Sequence, residues 1–129
     1  MTGKGLTVQV TIDVTWQQIE DQLCAAWEGG SRYWLECYGA RAPTATADAA
    51  RVEHRFQNAL YAGGACLVRL SEETDGWKDE LTREKLLAGV QVMAEKYPRH
   101  FTDMLTDNGD ADTGDVFLQC CLLGEVVYG

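Results

Sequence analysis

The chain has 129 residues, 46% of them hydrophobic and 24% charged, proportions that suit one soluble globular domain. Its formal net charge is −9, which argues against direct nucleic-acid binding, because such proteins carry a basic patch. No apolar run approaches the ~20 residues that cross a bilayer, and no apolar stretch follows the first five residues as in a secretory signal, so a cytoplasmic protein is expected.

Positions 6–14 alternate apolar Leu6, Val8, Val10, Ile12 and Val14 with polar residues. That period of two predicts a half-buried strand. Thr15 and Gln18 have the spacing of a capping box. Trp16, Ile19, Leu23, Ala26 and Trp27 then recur at helical intervals, until Gly29 and Gly30 stop the helix. A second strand is expected over 32–38, with aromatic rings on both faces. A loop over 39–47 and a helix over 48–61 follow. Ala65 to Leu70 reads as a central strand, 71–76 as an acidic turn and 77–81 as a short edge strand.

Thr82 is the next predicted N-cap, with Leu81 and Leu86 at the positions of a hydrophobic staple. The helix it opens stops at Pro98. A short helix over 100–105 and an acidic loop over 106–112 lead to a last helix over 113–124, capped by Asp112 and carrying Asp115 in its first turn. Residues 125–129 form an apolar tail that should pack on the fold. The expected architecture is a single α+β domain over 1–129. Its three- to four-stranded, mostly antiparallel sheet packs with about four helices.

The five cysteines, Cys24, Cys37, Cys66, Cys120 and Cys121, lie in apolar or helical segments without C-x-x-C spacing. They read as reduced buried thiols, with zinc ligation the alternative. No catalytic residue set, metal site or cofactor is expected. His54 and His100 read as surface histidines. Ser31 has no nucleophile-elbow context. Residues 107–112 lack the ligand order of a calcium loop.

The candidate binding residues are Glu28, Gly29, Gly30, Tyr33, Trp34, Glu125 and Tyr128. Gly29 and Gly30 supply a permissive backbone at a helix–strand joint, and the aromatic rings offer apolar faces with polar handles. Glu28 sits against the helix dipole, which marks it either as a site residue or as a solvated surface acid. Glu125 stands in an otherwise apolar tail. If the tail meets the joint, the two glutamates would share a pocket walled by Trp34 and Tyr128. Such a pocket would suit acid–base chemistry or a cationic or hydroxyl-bearing ligand.

The segments EGGSRYW at 28–34, LAGV at 87–90, and FLQ at 117–119 followed by GEVVYG at 124–129 resemble those of a family of small phage and prophage proteins. Leu123 stands where that family's pattern has an aromatic residue. The resemblance implies a protein of bacterial viruses working in the host cytoplasm. It further implies a non-catalytic accessory role in which the protein binds a host protein, as an inhibitor of a bacterial defence system. The alternatives are a binder or sponge for a small nucleotide-like ligand, and a carboxylate-based enzyme. A homodimer is a further expectation, because the aromatic strand and apolar tail offer surface for one.

Overall fold

In a computed structural model of the chain, residues 5–41, 63–70 and 77–129 are described. The helix expected over 48–61, the acidic turn expected over 71–76, His54 and residues 42–47 of the loop expected over 39–47 lie outside them, while residues 39–41 of that loop are strand instead. Helix α1 spans Trp16–Ala25, and its capping box is complete: Gln18 N–H donates to Thr15 Oγ1, and Thr15 N–H donates to Gln18 Oε1. A wider π turn, Ala26–Gly30, extends it to the glycine pair. The sheet has three antiparallel strands in the order β1 (Leu35–Arg41), β2 (Ala65–Leu70) and β3 (Lys78–Thr82), with β2 in the centre. Helices α2 (Arg83–Lys96), α3 (Pro98–Leu105) and α4 (Ala111–Leu123) follow. This is a small α+β domain, with four α-helices among the described residues.

Local chemistry explains most of these boundaries. Thr82 caps α2 by accepting from Lys85 N–H, and the staple residues Leu81 and Leu86 flank that cap, both fully buried. Pro98 does not simply end α2. It occupies the first turn of α3, where its missing N–H costs nothing. Helix α4 starts earlier than its sequence suggests. Its cap is Asp110, not Asp112, and the Asp110 carboxylate accepts from Thr113 N–H at 3.0 Å and Thr113 Oγ1 at 3.2 Å. Those bonds, led by the backbone one, lower the Asp110 pKa. Gly124 ends α4 in the left-handed conformation (φ 77°), which glycine adopts without a Cβ penalty.

Two strand expectations need correction. Residues 6–14 form no strand. They run as an irregular, mostly exposed arm outside the sheet, with Leu6 94%, Val8 73% and Val10 71% exposed. Alternation specifies which face a strand would bury, yet supplies no partner, and the arm finds none within the described chain. The strand expected at 32–38 begins only at Leu35. Before it, Ser31 O accepts from both Trp34 N–H and Leu35 N–H, which closes a tight turn. A bulge at Tyr38 then shifts the β1–β2 register between Cys37 and Gly39.

Helix α4 is the centre of the packing. Thr113, Gly114, Asp115, Phe117, Leu118, Gln119, Cys120 and Cys121 are all buried, and α1, α2 and α3 contact it. All five cysteines are reduced; Cys66, Cys120 and Cys121 are buried, while Cys24 and Cys37 are half-buried. Burial pushes the Cys120 thiol up to about 11. Among the described residues no helix is long and apolar enough to cross a membrane.

Candidate functional site: an acidic, aromatic cleft

A helix buried on nearly every side leaves its polar residues two options: find partners or destabilise the fold. Asp115 and Gln119, one turn apart on α4, find partners in two distant parts of the chain. Asp115 Oδ1 accepts from Ser31 Oγ at 2.8 Å and from Trp34 Nε1 at 2.8 Å. Its Oδ2 accepts from Tyr33 OH at 2.5 Å and from Gln119 Nε2 at 3.1 Å. Four donors occupy the lone pairs of one carboxylate. The joint after α1 is therefore pinned by side chains as well as by its turn.

Gln119 grips the segment 124–129 in the same way. Its Oε1 accepts from Val127 N–H at 2.7 Å and Tyr128 N–H at 2.8 Å, while Nε2 donates to Tyr128 O at 3.1 Å. Tyr97 OH accepts from Val126 N–H at 2.8 Å. The result stacks Tyr128 on Trp34, with ring centroids 4.9 Å apart and planes 17° from parallel. An offset pair of this kind adds about 0.5–1.5 kcal/mol beyond its buried area.

Tyr33, His100, Asp112, Asp115, Gln119 and Tyr128, with Val116, Val126 and Gly129, line an open cleft of about 680 Å³. Its field is negative: those residues include no lysine or arginine. The Tyr33 phenol registers this. Its pKa is pushed up to about 12, first by burial of the hydroxyl and then by its hydrogen bond to Asp115 and the charges of Asp115 and Asp112. On one wall, His100 Nδ1 lies 3.1 Å from Thr113 Oγ1. The Thr113 hydroxyl has one proton and gives it to the Asp110 carboxylate, which can only accept. His100 Nδ1 then donates its proton to the Thr113 hydroxyl oxygen.

Of the residues singled out from sequence, Tyr33, Trp34 and Tyr128 are brought together here. Glu28 and Glu125 are both exposed, and neither lines the cleft. The carboxylate that the rings surround is Asp115. Gly29 is exposed and has open space around it. Neither Gly29 nor Gly30 has a positive φ in the left-handed range. Gly30 is needed for close approach, since a Cβ there would collide with the Ala111 carbonyl at the start of α4.

Asp115, Gln119, His100 and Asp112 are the site residues that sequence reasoning passed over. A signal for the first two was available: polar residues spaced by four on a helix otherwise apolar nearly all round must share a partner. Among the described residues, no group of three or more His, Cys, Asp or Glu side chains is placed to hold a metal ion. No family model, no curated protein and no solved structure matches the chain.

Proposed function

We propose that this protein acts non-catalytically, by binding a protein partner that places a cationic side chain in the cleft. The observation carrying this reading is geometric: Tyr33 and Tyr128 line one open cleft together with the carboxylates of Asp112 and Asp115. A guanidinium or ammonium group is attracted both by carboxylates and by the faces of aromatic rings. Catalysis by Asp115 is disfavoured, because its lone pairs are taken by four donors. A nucleotide-like ligand fits less well, because its phosphates would meet Asp112 and Asp115 in a cleft lined by no lysine or arginine.

The partner we propose is a bacterial host protein, in keeping with the resemblance to small phage and prophage proteins; inhibition of a defence system is the role that resemblance favours. The net charge of −9 would speed association with a basic surface and make it salt-sensitive. The test is capture from bacterial lysate by the intact protein and by Asp112→Asn. Asp112 is exposed, so its change should leave the fold intact. We expect a partner retained at low salt, lost at raised salt, and recovered in reduced yield by the variant. Equal recovery by both proteins at all salt concentrations would contradict the reading.

A further inference from the structure

The arm over 6–14 has the pattern of a half-buried strand, yet its apolar side is exposed. Leu6, Val8, Val10 and Ile12 are 94%, 73%, 71% and 47% exposed, and only Val14 packs against the core. We infer that the arm pairs antiparallel with the same arm of a second copy, about a twofold axis.

Three features select a second copy as the occupant. The first is self-complementarity. Centring the pair on Gln9 sets Val8 opposite Val10 and Leu6 opposite Ile12, with Thr7 opposite Thr11 on the other face. Each of the four exposed apolar residues then meets an apolar one across the axis, which is the requirement of an isologous interface. The second is charge. The chain carries −9, yet residues 6–12 hold no ionisable side chain, so the two strand stretches themselves bring no like charges together. Strand edges meant to stay single are usually protected by lysine, proline or another charge, and this stretch has none.

The third is area. Four exposed aliphatic side chains of roughly 100 Å² each, counted on both copies, give on the order of 800 Å² of apolar surface. The paired backbones raise that to about the 1,000 Å² that a specific interface needs. The apolar row also has a place to go. A groove of about 830 Å³ separates the arm from α2 and α3, and Val90, Ala94 and Phe101 contribute to its wall. The proposal is independent of the cleft.

Sedimentation velocity of the intact chain up to roughly 100 µM tests it by mass action, with Val10→Lys and Val10→Ile as variants. We expect a dimer for the intact chain and Val10→Ile, and a monomer for Val10→Lys with an unchanged far-ultraviolet circular dichroism spectrum. Amide hydrogen exchange provides a second readout: protection over 7–12 should appear in concentrated protein and disappear on dilution. A monomer throughout the range, a Val10→Lys protein that remains dimeric, or arm protection that ignores concentration would overturn it.

Discussion

At position 115 a carboxylate is held by four donors, three from residues 31–34 and one from Gln119, and Asp115→Asn should expose how much the fold relies on it. The new amide nitrogen would turn donor toward donor, leaving at least one buried N–H or O–H unpaired. We expect a loss of about 1–3 kcal/mol in urea unfolding; an unchanged midpoint would mean that the network is replaceable. Tyr33 supplies a pH signature. Its folded pKa lies near 12 against the usual 10, so the folded state keeps a proton that the unfolded chain gives up. The associated stability is fully present below pH 10 and is lost as the pH rises through about 12. Unfolding midpoints followed from about pH 9 to about pH 12 should therefore fall less steeply for Tyr33→Phe than for the intact chain.

At the scale of elements, the contact between α1 and α4 depends on an absent side chain. A Cβ on Gly114 would lie 2.8 Å from Gln22 O, 2.9 Å from Ala25 Cβ and 2.9 Å from Ala26 N. Two of these are backbone atoms, so the helices would have to separate. Gly114→Ala should cost about 1–3 kcal/mol despite alanine's better helix propensity. That separation would also loosen Asp115's hold on the joint, so the near-ultraviolet circular dichroism of Trp34 should weaken. A variant as stable as the parent would contradict this packing.

Elements were readable where their cause is local. The Thr15–Gln18 box, the Thr82 cap with its leucine staple and the apolar run of β2 each occupy a few neighbouring residues, and each appears where the sequence puts it. The failures have distant causes. Residues 32–34 look like strand, yet Tyr33 and Trp34 are drawn toward Asp115, more than 80 residues away. The arm over 6–14 alternates like a strand, but whether a partner strand is at hand depends on the whole chain's topology. The site was legible in part for the same reason. Aromatic residues at the joint and in the tail stand out by composition, whereas the acid between them reads as an ordinary first-turn aspartate until the helix is seen to be buried all round.

For the whole molecule, charge and cleft point the same way. An anionic domain with a fixed carboxylate, Asp115, among aromatic rings is suited to a basic partner, and its long-range field serves recognition more than stability. The most direct test is an NMR titration of the ¹⁵N-labelled protein with a short arginine-rich peptide, alongside a phosphorylated acidic peptide. We expect the arginine peptide to move the signals of Tyr33, His100, Asp112 and Gln119, with the shifts shrinking as salt is raised and weakening several-fold in Asp112→Asn. Shifts confined to other surfaces, or binding of the phosphorylated peptide in the cleft instead, would contradict the proposal.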